Sequence, residues 1–321
     1  MRPVRGEEDI DDLLRSAKAL AVITAWNELG LFDKLAGGPK TFDELSVDRR
    51  ALEVTIPVLK HLGLLFDAGD RIALSPAALR MHEGKQLPTQ RNLDILRGIA
   101  QMDDVVQRGG PLSESDATNG GVVEDPEGAA RFLDMLYGAS SQSAEQVYDA
   151  VSPLLSGRSR MLDVGGGHGR YSRRFADAGH AATLFDFPHV VEYAQERHGE
   201  ALGYIAGNFR DESADFGGPY DLVLLSNIVH GEPDQENRSL IARLASTLAP
   251  GGRLVIKDMF LDEHGDNPEN AVFFGLTMLY YTRGGQSPRV AQARGWLEAG
   301  GLVEPVLATF DRYQLLHAQK P

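Results

Sequence analysis

The stretch Leu162-Asp-Val-Gly-Gly-Gly-His-Gly-Arg-Tyr171 decides the fold, because it has the pattern of a buried strand, a glycine-rich turn and the start of a helix. Glycine lets the backbone approach a ligand closely and adopt dihedral angles that other residues avoid. The glycines follow the spacing G-x-G-x-G, and Arg170 stands where the dinucleotide-binding fingerprint has its third glycine. Asp163 adds an acid just before the turn, which suits a positively charged ligand better than a pyrophosphate. The stretch therefore predicts a cofactor site at the end of a strand.

Downstream of residue 159, short apolar segments alternate with helical stretches. This alternation predicts an α/β fold with a doubly wound, Rossmann-like parallel sheet that is covered on both faces. The predicted strands are residues 161–164, 182–186, 220–226 and 252–258. Upstream of them we expect an exposed polar loop over about 109–126 and a single helix over about 126–156.

The first part of the chain has a different pattern. Residues 9–81 are mainly helical, and Leu52, Ile56, Leu59 and Leu62 form one apolar stripe that Pro57 interrupts with a kink or a late helix start. Residues 64–74 have the pattern of a hairpin, so helices followed by a two-stranded wing are predicted. A winged helix often binds DNA, but the expected recognition helix is aliphatic where a DNA reader presents polar side chains. Self-association is the favoured interpretation.

Composition limits the class of protein. The 321 residues include 46 acidic and 32 basic residues, for a net charge of −14, which argues against a nucleic-acid partner. The absence of cysteine excludes disulfides and thiolate chemistry. The charged N-terminus lacks the apolar core of a secretion signal, and no apolar run is long enough for a membrane span. We therefore expect a cytoplasmic enzyme.

Two further segments indicate an adenosine-containing cofactor. Asp186 ends the second predicted strand about 20 residues after the glycine turn, where an acid binds ribose hydroxyls. Asn208 could bond the adenine edge, and Phe209 could pack on its face. These residues alone do not choose between S-adenosylmethionine and NAD.

The motifs together resemble the family of small-molecule O-methyltransferases with an N-terminal winged-helix dimerisation domain, which includes the caffeate and hydroxyindole enzymes. The resemblance covers nearly all of the chain, through segments at 29–35, 41–45, 62–65, 163–169, 185–188, 225–230 and 248–254. It implies a winged-helix dimerisation domain over 1–100, and a class I methyltransferase domain over 101–321 with leading helices over about 101–157. It also implies S-adenosylmethionine as the cofactor, a homodimer, and a cofactor site formed by Asp163, Gly165, Gly167, Asp186, Phe187, Asn208, Phe209 and Ser226.

The same resemblance implies a reacting centre. The family's histidine base matches His230, at the carboxyl end of a core strand, and the acid that orients it matches Asp258. Gly231 and Glu232 stand where the family often has Asp-Trp, and Ser287 stands where it has a second acid. We therefore expect in-line methyl transfer without a metal, with His230 removing the acceptor proton.

The predicted acceptor pocket suits a flat apolar or aromatic compound. Its predicted residues are Phe132, Met135, Leu136, Phe274, Met278, Tyr281 and Thr282. The departures around His230 and Ser287 leave open an enzyme of the same scaffold that methylates nitrogen or carbon, or that performs decarboxylation, hydroxylation or rearrangement. A DNA-binding regulator is the remaining alternative, and a salt-dependent shift with duplex DNA would identify it.

Overall fold

The computed structural model describes residues 3–84, 86–89, 92, 99–112 and 126–321. The chain divides into two compact units, Met1–Asp104 and Val105–Pro321. Among the helices that the structure describes, none combines the length and apolar character needed to cross a membrane.

The first unit is mainly helical with one hairpin. Its elements are α1 (Glu7–Glu28), α2 (Leu31–Ala36), α3 (Phe42–Leu45), α4 (Arg49–His61), β1 (Leu65–Ala68), β2 (Arg71–Leu74) and α5 (Pro76–Glu83), while α6 (Met102–Arg108) spans the division between the units. The strands pair antiparallel from Leu65 opposite Leu74 to Ala68 opposite Arg71, so the predicted hairpin is confirmed.

Helix α4 shows how the apolar pattern forms this core. Leu52, Ile56 and Leu59 are buried, as the predicted stripe requires, but Leu62 lies beyond the end of α4 and is exposed. The helix begins at Arg49, where the Asp48 side chain accepts a hydrogen bond from the Ala51 N–H. Pro57 therefore lies inside the helix, and the late start considered from the sequence is wrong.

The second unit contains a seven-stranded sheet in the order β5-β4-β3-β6-β7-β9-β8, in which β9 alone runs antiparallel to its two neighbours among the described strands. Its strands are β3 (Arg160–Val164), β4 (Ala181–Asp186), β5 (Gly203–Ala206), β6 (Tyr220–Ser226), β7 (Leu248–Asp258), β8 (Val303–Thr309) and β9 (Gln314–Gln319). The helices are α7 (Pro126–Ala139), α8 (Ser141–Val151), α9 (Arg170–Asp177), α10 (Pro188–His198), α11 (Asp234–Ser246), α12 (Glu269–Tyr281) and α13 (Val290–Ala299). Three short 3-10 helices complete it at Ser152–Leu154, Gly199–Ala201 and Val229–Gly231.

Strand β3 is buried on both faces, as a central parallel strand must be. Leu162 and Val164 belong to one apolar cluster, while Met161 belongs to the cluster on the other face. The four predicted strands are confirmed, and the predicted doubly wound sheet is present. The carboxyl ends of β3 and β6 adjoin where the strand order reverses, which is where open α/β sheets bind ligands.

The predicted single helix over 126–156 is wrong, because the chain breaks at Ser140 into α7 and α8. Ser140 directs both its backbone N–H and its hydroxyl to the Leu136 carbonyl, which ends α7 there. Most of the loop expected over 109–126 lies outside the described residues.

Candidate cofactor and acceptor site

The glycine turn after β3 borders a cavity at the carboxyl ends of the strands. Gly165 and Gly167 have φ angles of 66° and 53°, in the region that favours glycine. A Cβ on Gly165 would lie 2.3 Å from Ile228 Cδ1, a separation that side chains do not tolerate. The backbone angle therefore favours glycine at the first of these positions, and a larger residue there would have to displace the end of the Ile228 side chain.

Asp163 and Ser226 present polar atoms that the described part of the chain leaves unpartnered. Asp163 is fully buried, and its Oδ2 accepts a hydrogen bond from Ser172 Oγ at 2.6 Å. Asp163 Oδ1 and Ser226 Oγ are buried and form no hydrogen bond to a described residue, although both side chains line the cavity. Burial raises the pKa of Asp163 to about 6. An unpartnered buried polar atom is costly, so these two atoms fit a ligand that brings an ammonium group or other donors.

Asp186, at the end of β4, is fixed against the glycine turn. Its Oδ2 accepts from the Gly167 N–H at 2.8 Å, and its Oδ1 accepts from the Phe187 N–H at 2.7 Å. Burial raises its pKa to about 6. Because each carboxylate oxygen has a second lone pair, Asp186 can still accept two hydroxyl donors such as those of a ribose.

The segment after β5 is arranged differently from the sequence expectation. Phe209 and Phe187 line the cavity, with ring centroids 6.5 Å apart. Asn208 is exposed, and its Oδ1 accepts from the Arg210 N–H at 3.0 Å in a local turn. The structure does not place Asn208 in the cavity wall, which Arg210 lines instead.

His230 and Asp258 form a buried pair at the ends of β6 and β7. His230 Nδ1 lies 2.7 Å from Asp258 Oδ1, and the His230 N–H donates to Asp258 Oδ2 at 3.3 Å. The Met259 N–H also donates to Asp258 Oδ1. A carboxylate accepts hydrogen bonds, so in the neutral imidazole Nδ1 carries the proton and Nε2 has a lone pair; His230 lines the cavity. This geometry is that of an oriented general base.

Ser287 does not replace the second acid. Its hydroxyl donates to the Ala271 carbonyl at 2.7 Å and forms no hydrogen bond with His230. The neighbouring loop instead contacts the backbone of His230, because the Gln286 N–H donates to the His230 carbonyl at 2.8 Å. Asp258 is therefore the one carboxylate hydrogen-bonded to His230 among the described residues.

The predicted acceptor residues fall into two groups. Phe132 and Leu136 line the cavity from α7, and the Phe274 ring meets the His230 ring edge to face at 4.7 Å. Met135 lies elsewhere on α7 and is 48% exposed. Of the seven predicted residues, Met135, Phe274, Met278, Tyr281 and Thr282 are not among those that line the cavity. Met278 and Thr282 are buried and Tyr281 is half-buried; the Thr282 hydroxyl donates to the Met278 carbonyl and accepts from the Gly285 N–H.

Sequence reasoning missed several cavity residues. His168 and Tyr171 lie within the glycine motif itself, whereas Arg210 and Glu232 form an ion pair across the cavity wall. The sequence did mark Glu232 as unusual, because it stands at a position where the family that the chain resembles often has tryptophan. Only the folded chain shows that Arg210 is its partner.

Comparison with known proteins agrees with this geometry. Residues 117–301 match the model of the O-methyltransferase domain. A 3-hydroxy-5-methyl-1-naphthoate 3-O-methyltransferase of Streptomyces sahachiroi is 28% identical over 92% of this chain and 89% of its own length. An O-methyltransferase family protein from Burkholderia thailandensis superposes with a TM-score of 0.84 at 20% identity, over 99% of both chains.

Human N-acetylserotonin methyltransferase, solved in complex with S-adenosylmethionine, superposes with a TM-score of 0.79 at 20% identity, over 100% of this chain and 99% of its own. At this identity the solved structures establish the fold, and the domain match establishes the family. The chain belongs to the family of S-adenosylmethionine-dependent O-methyltransferases.

Proposed function

We propose that the protein methylates a hydroxyl group of a small aromatic metabolite, with His230 as the general base. The observation that carries this proposal is the His230–Asp258 pair, whose free Nε2 borders the same cavity as the unpartnered Asp163 Oδ1. The similar enzyme from Streptomyces sahachiroi acts on a hydroxynaphthoate, which supports an aromatic acceptor.

The cofactor end of the cavity fits S-adenosylmethionine. Asp163 Oδ1 and Ser226 Oγ are available to the donors of its amino-acid part, and Asp186 to its ribose hydroxyls. Phe187 and Phe209 offer apolar surface to the adenine. When bound, the cofactor supplies an electrophilic methyl group on a sulfonium.

The residues around His230 perform the acid–base part of the reaction. Nε2 takes the proton of the acceptor hydroxyl, which leaves that oxygen's electron pair free to receive the methyl group that the bound cofactor would supply, with the neutral thioether as the leaving group. Asp258 holds the Nδ1–H in place and stabilises the imidazolium that results. Phe132, Leu133 and Leu136 form an apolar wall that positions a flat ring and excludes water.

Substitution of His230 by alanine tests the base. We expect turnover with a phenolic acceptor to fall by roughly 10²–10⁴-fold, while the affinity for S-adenosylhomocysteine stays nearly unchanged. The loss should shrink at high pH or with more acidic phenols, because their oxygen is already deprotonated. Asp258→Asn should show a milder form of the same defect.

His264→Ala is the matched control, because this histidine is exposed and does not line the cavity. If His230→Ala retains most of its neutral-pH activity, positioning alone drives the transfer and His230 is structural. Assays with amine and carbon nucleophiles in parallel decide between O-methylation and the alternative chemistries.

We also propose that the first unit forms a homodimer interface. Helix α1 is 22 residues long, yet only Thr24 and Trp26 are buried within it. Ile10, Leu13 and Leu14 are exposed on its first half. Apolar side chains grouped in this way are typical of a surface that another chain covers.

A further inference from the structure

An ion pair joins two loops at the wall of the cavity. Arg210 Nε donates to both oxygens of Glu232, at 3.1 and 3.0 Å, and Nη2 donates to Oε1 at 2.5 Å. Arg210 follows β5 and Glu232 follows β6, and in the sheet these strands are separated by β4 and β3. The pair therefore spans the ends of the two strands that carry Asp186 and Asp163.

The pair fixes the guanidinium in one orientation. Glu232 is buried, with 6% of its side chain exposed, and Arg210 is its ion-pair partner. A bidentate contact between a planar guanidinium and a carboxylate restricts rotation as well as position. Arg210 Cζ also lies 5.1 Å from the centroid of the Phe209 ring.

One end of the guanidinium remains available. Nε and Nη2 are used by Glu232, whereas Nη1 forms no hydrogen bond to any residue in the described part of the chain. Arg210 lines the cavity beside Phe209, on the β5 side of Asp186. His230 and Asp258 follow β6 and β7, on the other side of β3. Arg210 therefore adjoins Phe209 at the cavity wall, while its partner Glu232 follows β6, as His230 does.

We propose that Arg210, oriented by Glu232, binds the adenine base of the methyl donor through a ring nitrogen. Adenine ring nitrogens accept hydrogen bonds, and Nη1 supplies two donors. Glu232, which orients the guanidinium, stands at a position where the family that the sequence resembles often has tryptophan, so this ion pair is a feature of the present chain. The inference rests on the proposed function and adds a base-recognising residue to it.

Binding of adenine-modified ligands tests the inference by titration calorimetry, without turnover. The probes are S-adenosylhomocysteine and its 1-deaza, 3-deaza and 7-deaza analogues, each of which lacks one acceptor nitrogen. For the unmodified protein we expect one analogue to bind about tenfold more weakly than the parent, the usual effect of losing one hydrogen bond to a charged group. In Arg210→Met that difference should vanish, because the donor is gone.

Two further variants separate recognition from structural damage. Glu232→Gln should reduce the discrimination among the four ligands, since the guanidinium is then less firmly oriented. Arg238→Met removes an exposed ion pair with Asp234 on α11 and should leave all four affinities as they are. Circular dichroism of each variant checks the fold.

Three results would overturn the inference. Arg210→Met could reduce the affinity for all four ligands by the same factor, which would indicate a structural role. It could leave every affinity unchanged, or it could raise only the KM of a carboxylate-bearing acceptor, which would place Arg210 at the acceptor. Failure of the unmodified protein to bind S-adenosylhomocysteine would instead contradict the proposed function.

Discussion

At the level of single residues, Asp163 and Asp186 are two buried acids whose ionised forms are disfavoured in the ligand-free protein. The pKa of each is raised to about 6 by burial, from a usual value of 3.8. Hydrogen bonds from Ser172 to Asp163, and from Gly167 and Phe187 to Asp186, lower these pKa values only in part. A positively charged ligand with hydroxyl donors stabilises both carboxylates and so binds their ionised forms.

The affinity for S-adenosylmethionine should therefore depend on pH. Below pH 6 a proton must be released from each acid on binding, so we expect affinity to fall by up to about tenfold per pH unit for each group. Titration calorimetry near pH 7.5 and near pH 5 measures the change. Asp163→Asn should bind weakly at both values and show a shallower pH dependence, and an unchanged slope would contradict the assignment.

Asp163 and Asp186 also affect the stability of the ligand-free protein, which they lower, rather than raise, as the pH increases. A carboxyl whose pKa is raised by folding contributes stability that is present below the unfolded pKa and is lost as the pH rises through the folded value. Their contribution therefore disappears between about pH 4 and pH 6. The rise in melting temperature caused by S-adenosylhomocysteine should accordingly be larger at pH 7.5 than at pH 5.

Gly165 carries both kinds of constraint that select glycine. Gly165→Ala should destabilise the fold by roughly 1–3 kcal/mol through backbone strain, and further by displacing Ile228 from the cavity wall. Gly157→Ala is the matched control, since Gly157 has a φ of 59° but open space around its Cβ position. Chemical denaturation and S-adenosylhomocysteine binding measure the two effects. Equal losses in both variants would show that Ile228 adapts without cost.

At the level of elements, a chain of hydrogen bonds links the glycine turn to the end of α7. The Arg170 N–H donates to His168 Nδ1, so His168 Nε2 carries a proton and donates to Ser140 Oγ at 3.1 Å. The Ser140 hydroxyl then donates to the Leu136 carbonyl. Burial lowers the pKa of His168 to about 4, so this neutral form persists across the physiological range. The helix that carries Phe132 and Leu136 is thereby tied to the glycine turn.

Ser140→Ala should break this link. His168 Nε2 would lose its acceptor, and a buried donor without a partner costs about 1–3 kcal/mol. We expect a lower melting temperature and a raised KM for the acceptor, because the apolar wall on α7 is less firmly held. Ser246→Ala is the control, since its hydroxyl donates to a backbone carbonyl on an exposed helix end. Ser140→Thr retains a hydroxyl and should therefore preserve this link. An unaltered acceptor KM in Ser140→Ala would contradict the coupling between the glycine turn and α7.

At the level of the whole molecule, the exposed apolar residues of α1 predict association. We expect light scattering to give about twice the chain mass of 34.9 kDa. Leu14→Glu should shift the protein toward the monomer, because it places a charge in the proposed interface. Ser16→Glu adds the same charge at another exposed position of α1 and should have little effect. A monomeric unmodified protein would remove the dimer proposal and reopen the regulator interpretation.

The sequence by itself determined the features that depend on local pattern. Alternating apolar segments predicted four strands of the sheet, and the glycine spacing predicted the turn that borders the cavity. These features follow from periodicity and turn chemistry, which neighbouring residues specify. The break at Ser140 was missed because its cause is the side-chain bond of a single serine, which leaves the apolar pattern unchanged.

The tertiary structure alone decided which distant side chains meet. Ser287 was compared with an acid by its place in a motif, but its hydroxyl bonds Ala271 in the folded chain. Met135 has the apolar character of a pocket residue, yet the orientation of α7 exposes it. Arg210 and Glu232 share no motif and follow strands that are not neighbours in the sheet, and the loops after those strands bring them into contact. Side-chain pairing across a sheet depends on the path of the whole chain, which no local pattern records.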